Sequence, residues 1–299
     1  MKPKNYKNFL DIADVSSAEL RQILNNAKLL KAEQKQGKAH PLLAGKHLAM
    51  IFEKASTRTR VSFEVGINQL GGQGVLITAD ASQIGRGEPI ADTANVLSRF
   101  CDLIMIRTFK HQTLLDLAKN ASVPVINGLT DHSHPCQIMA DIQTVEENIG
   151  DITGKKIAWF GDYNNVTQSW AEAAEKLGFE LIISAPAAIF GNRQLPKNCS
   201  FEPDAKKAAA NADVITTDTW ISMGEADSEA KKQTLQPYQV NSELMQLAKS
   251  NAIFLHCLPA HRGEEVTENV IDGPQSRIYD EAENRLHAQK AIMCWCFGD

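Results

Sequence analysis

The feature that most constrains this chain is a twice-repeated alternation of short apolar runs with helix-patterned segments. In the first series the runs are residues 47–53, 75–79, 102–107 and 123–128, separated by helical patterns at residues 60–72, 91–100 and 113–120. Short apolar runs bounded by turn residues are strands covered on both faces, as parallel sheets require. The order strand, helix, strand then predicts parallel pairing through right-handed crossovers. A longer helix pattern follows Pro135 and ends near Ile149, after which Gly150 and Gly154 break the chain. The second series places runs at residues 156–162, 180–185, 213–218 and 252–258, with helical patterns at residues 170–179, 204–212 and 243–251. The expected fold class is therefore α/β, with two doubly wound domains, each a mainly parallel sheet flanked by helices. The expected domains are residues 1–148 and 149–283, with a last helix from about Glu283. Ahead of the first strand, Ser16 and Glu19 form a capping box, and Leu20, Ile23, Leu24, Ala27 and Leu30 recur at helical spacing. The polar stretch at residues 222–239 is too long for a simple connection and reads as a functional or mobile loop.

Composition narrows the partners. A net charge of −5 gives no basic face for nucleic acid or an anionic membrane, so an anionic ligand must be held by a local cluster. No run of 18 apolar residues occurs, and residues 1–17 lack the apolar core of a signal peptide, so a cytoplasmic location is expected. Six cysteines lie scattered without paired CxxC spacing, so neither a disulfide framework nor a metal site is expected.

Ligands of open α/β sheets gather at the carboxyl ends of strands, and the polar motifs fall there. Ser56, Thr57, Arg58, Thr59 and Arg60 follow the first strand and open a helix. Hydroxyls, helix N-terminal N–H groups and guanidinium groups together suit a phosphate dianion; the plainer reading is a capped helix with solvated arginines. Arg107 ends the strand at residues 102–107, where an ordinary strand-end arginine is the alternative. In His134-Pro135-Cys136-Gln137 the proline starts a helix and presents His134 and Gln137 on one turn. An imidazole N–H can polarise a carbonyl oxygen, and a glutamine can recognise an amide-like NH2. In the second series, residues 159–165 lead from a strand into a helix without the GxGxxG pattern of dinucleotide sites. After residues 213–217 comes Asp218, then Ser222 and Met223; a carboxylate and a hydroxyl suit an ammonium, and a free N–H at Met223 suits a carboxylate.

Residues 56–60, Arg107 and residues 134–137 together resemble the carbamoyl phosphate signature of the aspartate/ornithine carbamoyltransferase family. The resemblance extends in order along nearly the whole chain, through Asp218-Thr-Trp-Ile-Ser222-Met223-Gly224, His256-Cys257-Leu258-Pro259 and residues 281–285. It implies transfer of a carbamoyl group from carbamoyl phosphate to the δ-amine of ornithine, by direct attack and without cofactor or metal. The implied carbamoyl phosphate contacts are Ser56, Thr57, Arg58, Thr59, Gln83, Arg107, His134, Gln137, Cys257, Leu258 and Arg285, with Arg58, Arg107, His134 and Cys257 catalytic. The implied ornithine contacts are Asn165, Asp218, Ser222 and Met223. In the family the glutamine equivalent to Gln83 reaches the neighbouring subunit's site, which implies a homotrimer or a multiple of trimers. The first domain would bind carbamoyl phosphate, with a helix at about residues 284–299 packed back on it, and the second would bind ornithine. The rival readings are a related transferase acting on an N-acylated ornithine or on putrescine, and a non-catalytic amino-acid or phosphate-binding protein.

Overall fold

The computed structural model describes residues 6–79, 87–222, 225–226 and 228–298. The chain forms two compact units, residues 1–140 with 283–299, and residues 141–282.

The first unit contains α1 (Ser17–Lys35), β1 (His47–Phe52), α2 (Thr57–Gln69), β2 (Gln73–Thr78), α3 (Ile90–Phe100), β3 (Leu103–Arg107), α4 (His111–Asn120) and β4 (Val125–Leu129). Helix α5 (Pro135–Ile149) carries the chain onward. The four strands are all parallel, in the order β2-β1-β3-β4. Strands β3 and β4 are buried at every residue, which is why they read as unbroken apolar runs. The order reverses between β1 and β3, so their carboxyl ends flank a topological switch point. In register there, Phe52 pairs with Arg107. The capping box of α1 is formed, with Ser16 accepting from the Glu19 N–H.

The second unit contains β5 (Lys156–Phe160), α6 (Asn165–Leu177), β6 (Glu180–Ser184), α7 (Ala187–Phe190), β7 (Cys199–Phe201), α8 (Ala205–Ala209), β8 (Val214–Thr217) and α9 (Glu229–Leu235). It continues through α10 (Ser242–Leu247), β9 (Ile253–His256) and α11 (Glu268–Ile271), and α12 (Ile278–Cys296) follows. Five parallel strands lie in the order β7-β6-β5-β8-β9, with the switch point between β5 and β8. Ala158, Phe160, Ile215, Phe254, Val266 and Ile271 lie together in its core. Both sheets are doubly wound as the alternation predicts.

Three details differ from the sequence reading. Strand β7 is an added edge strand of three residues, too short and too exposed to leave a pattern. Residues 222–239 are not a bare loop: Ser228 caps α9 by accepting from the Lys231 N–H, and Leu235 is buried. Helix α12 starts at Ile278, ahead of Glu283, and its polar side chains are largely inside. Within the first unit, Lys31 donates to Asn284 at 2.7 Å and Lys290 donates to Gln34 and Gln69 at 2.8 and 3.0 Å, tying α12 to α1 and α2. Among the described residues, no helix is long and apolar enough to cross a membrane.

Candidate functional site

In the first unit the chain leaves β1 and enters α2 through Ser56, whose side chain accepts from the Thr59 N–H at 3.3 Å. This cap satisfies one of the four N–H groups that a helix start leaves over, and the rest point out along the axis with the positive end of the dipole. Ser56 is half-buried, Thr57 and Arg58 are exposed, and Thr59 is buried. Arg60 turns away to Glu64 at 3.6 Å. Arg107 and Arg285 are 7% and 4% exposed. They meet at one atom: Arg107 Nη1 and Arg285 Nη2 both donate to Thr59 Oγ1 at 3.3 Å. Two buried guanidinium groups sharing one hydroxyl is unfavourable by itself, and an anion placed there would offset it.

His134 follows β4 and opens α5, buried at 4% exposure. Burial, and next the charges of Arg285 and Arg107, push its pKa well below the ordinary histidine range. The imidazole is neutral and can donate one N–H without carrying charge. Gln137 is buried on the same turn, and its side-chain oxygen accepts from Arg285 Nη1. That bond fixes the amide's orientation.

The loops bearing these residues are laced together by groups the sequence reading passed over. The Glu53 N–H donates to the Arg107 carbonyl at 2.9 Å, and the Asp131 N–H to the Phe109 carbonyl at 2.9 Å. Buried Lys54 pairs with Asp131 and stands 4.3 Å from the centre of the Phe109 ring. The Cys136 thiol, pushed up to about 12 chiefly by burial, donates to the Asn127 carbonyl at 3.3 Å and is a packing group.

In the second unit, Thr217 pairs with His256 across β8 and β9, which sets Asp218 beside Cys257 at the strand ends. The Cys257 thiol donates to Asp218 Oδ1 at 3.2 Å. Burial raises its pKa well above the ordinary thiol value, with Asp218, Glu281 and Asp141 adding to the shift. Cys257 is therefore a thiol, and a poor nucleophile. Asp218 Oδ1 also accepts from the Thr219 N–H at 2.8 Å, and Oδ2 accepts from Asn164 Nδ2 at 2.8 Å. Asn164 was not singled out from the sequence; it caps α6 through Oδ1, receiving the Val166 and Thr167 N–H groups at 2.9 and 3.1 Å. Its signal was there, an Asn with Thr three residues on at a helix start. Asn165 is the first residue of α6 and half-buried, like Ser222. Gly161, at the end of β5, has φ +114°, and a Cβ there would lie 3.5 Å from the Trp220 ring, so the turn needs glycine. Leu258 is half-buried with φ +57°, and its N–H donates to His256 Nδ1 at 2.9 Å. Glu281 holds the same turn by accepting the His256 N–H at 2.8 Å. Gln83 and Met223 lie outside the described residues.

The structure thus brings Thr59, Arg107 and Gln137, at strand ends and helix starts, into contact with Arg285 from within α12 in one unit, and sets Asp218 against Cys257 at strand carboxyl ends in the other. Residues 7–147 match the family described as aspartate/ornithine carbamoyltransferase, carbamoyl-P binding domain, and residues 153–296 match its Asp/Orn binding domain. The chain is 56% identical over 300 residues to an ornithine carbamoyltransferase of Nitrobacter winogradskyi, covering 98% of this chain and 97% of that protein. It is 54% identical over 300 residues to one of Brucella abortus, covering 98% and 96%. Among solved structures it resembles the ornithine carbamoyltransferase from Pyrococcus furiosus, with TM-score 0.90, 48% identity and 96% of each chain covered. The enzyme from Burkholderia thailandensis gives TM-score 0.89 at 46% identity, covering 96% of this chain and 97% of that one.

Proposed function

The chain belongs to the aspartate/ornithine carbamoyltransferase family, and on that premise we propose that it transfers the carbamoyl group of carbamoyl phosphate to the δ-amine of L-ornithine, giving L-citrulline and phosphate. The observation that carries the donor half is the meeting of Arg107 and Arg285 at Thr59, at the start of α2. Carbamoyl phosphate places its dianion against Ser56, Thr57, Arg58, Thr59 and both buried arginines. Its carbonyl oxygen takes the His134 N–H, and its NH2 donates to the Gln137 oxygen. Residues 1–148 with the C-terminal helix form the donor domain, and residues 149–283 the acceptor domain.

The acceptor half rests on Asp218, whose carboxylate suits the α-ammonium of ornithine together with Ser222, while Asn165 and Met223 meet the backbone carboxylate. The neutral δ-amine attacks the carbonyl carbon with Cys257 and the Leu258 carbonyl facing it. A tetrahedral intermediate forms, the C–O bond to phosphate breaks with its electron pair leaving on the phosphate oxygen, and the amine gives up a proton to the departing phosphate. Carbamoyl phosphate is already an activated acyl donor, so neither a covalent enzyme intermediate nor a cofactor is required, and a Cys257 held as a thiol fits that path. Each well-placed donor to the developing charge contributes about 2.7–4 kcal/mol, and holding the two substrates together supplies much of the remainder. We assign the protein to the cytoplasm and to arginine biosynthesis, as a homotrimer or multiple of trimers in which Gln83 serves a neighbour's site.

Citrulline formation with ornithine, acetylornithine, succinylornithine, putrescine and aspartate offered as acceptors tests the reading: ornithine alone should be turned over efficiently, and preference for another acceptor overturns it. The pH profile is a second check. An alkyl amine with a pKa of about 10.4 is almost wholly protonated near neutrality, so the reactive fraction rises about tenfold per pH unit. His134, with its pKa depressed, is already neutral at pH 7, and the Cys257 thiol, with its pKa raised, stays protonated. Neither group adds a falling limb, and kcat is expected to rise from about pH 7 to about pH 9. A flat or falling profile contradicts attack by the free amine.

A further inference from the structure

Beyond the substrate contacts, the loop that carries Ser222 is held by a charged clamp. The Ser222 N–H donates to Glu225 Oε2 at 3.1 Å, and the Glu225 N–H donates back to the Ser222 carbonyl at 3.0 Å. The same Glu225 oxygen accepts from Lys231 Nζ at 2.8 Å, and Lys231 reaches Asp162 Oδ2 at 2.7 Å. Lys231 sits in α9, the helix inside the polar stretch. Asp162 belongs to the rigid corner after β5: its carbonyl accepts from the Trp159 indole at 2.8 Å and from the Thr167 hydroxyl at 3.2 Å. Thr167 in turn completes the cap of Asn164, which holds Asp218. One ammonium therefore joins the Ser222 turn to the corner from which Asn164 and Asn165 extend.

We infer that Lys231 is a positioning residue for acceptor specificity, clamping Glu225 to Asp162 so that Ser222 stays in register with Asn165 and Asp218. The inference rests on the reading of Asp218 and Ser222 as contacts of the amino acid. The clamp differs from an ordinary surface ion pair, which contributes little. The side chains of Lys231 and Asp162 are 23% and 12% exposed, and the bonds from Lys231 to Asp162 and to Glu225 are both charge-assisted. Two carboxylates share one cation here. Without it they repel, Glu225 turns outward, and the Ser222 N–H loses its acceptor. The side-chain hydrogen bonds of Lys231 run to Asp162 and Glu225, so binding of carbamoyl phosphate should not feel the change.

The test compares Lys231→Met, Glu225→Gln, the double variant and Asp218→Asn by steady-state kinetics, with calorimetry of carbamoyl phosphate. Lys231→Met should raise the KM for ornithine about tenfold while leaving kcat and carbamoyl phosphate affinity within about twofold. Because the loss in Lys231→Met runs through repulsion between Glu225 and Asp162, which Glu225→Gln removes, the double variant should be no worse than Lys231→Met instead of adding to it. An unchanged ornithine KM in Lys231→Met, alongside a raised one in Asp218→Asn, overturns the clamp alone. An unchanged KM in both overturns the acceptor reading and the clamp with it. Equal losses for both substrates in Lys231→Met assign the residue to general stability and overturn the proposal; if that variant does not fold, half-exposed Glu225→Gln gives the same comparison.

Discussion

Arg107→Met is expected to lower turnover about 100- to 1,000-fold, the loss seen when a preorganised donor to developing charge is removed, while leaving the protein at least as stable. The two halves of that expectation share one cause. Arg107 is buried at the carboxyl end of β3, level with Phe52, and donates to the hydroxyl that Arg285 also reaches. Its charge stands close to that of a second buried cation, Arg285. Methionine fills most of the same volume without that charge, and such replacements of buried charge by apolar side chains are often neutral or stabilising. Carbamoyl phosphate, by contrast, loses a charged donor to its developing charge. Thermal unfolding and single-turnover assays of the same preparation check both. A variant that loses stability and activity together would make Arg107 a structural strand-end arginine, and one that keeps kcat within about tenfold would remove it from the reaction.

How far the fold was legible follows from where polar groups lie. The central strands of both sheets were readable because parallel strands covered on two faces must be apolar throughout, and the loops that could carry a site were readable because both switch points collect them in a known place. Helix α12 shows where that logic stops. Glu281, Asn284, Arg285, His287, Gln289 and Lys290 are buried, so the helix carries polar residues on its covered faces and periodicity marks its start poorly. The same inversion explains Lys54, whose neighbours Asp131 and Phe109 are distant in sequence. Asn164 was missed in favour of Asn165 for a related reason. The capping pattern with Thr167 marks Asn164 as the helix cap, but its bond to Asp218 shows only in the folded unit. Lys231 belongs to the same class, a charged residue in a polar stretch whose partner lies on another strand's end.

Asp218→Asn is expected to raise the KM for ornithine about 10- to 100-fold, as for loss of a hydrogen bond to a charged group, with carbamoyl phosphate affinity little changed. The substitution is nearly isosteric, yet the site has no place for an amide. The carboxylate accepts from three donors: the Thr219 N–H and the Cys257 thiol at Oδ1, and the Asn164 amide at Oδ2. Whichever way the new amide turns, its NH2 faces a donor. Asn164 cannot adapt by exchanging its own ends, because its oxygen is committed to the Val166 and Thr167 N–H groups at the start of α6. The variant therefore loses the charge that suits an ammonium and also loosens the corner that presents Asn165. Cys257 supplies an independent readout. Burial is the larger cause of its raised pKa and Asp218 the next, so in the variant the thiol's pKa should fall toward, without reaching, its ordinary value. Alkylation of Cys257 should then begin at lower pH than in the parent protein. An unshifted alkylation profile would separate Cys257 from Asp218, and equal weakening of both substrates would remove Asp218 from acceptor recognition.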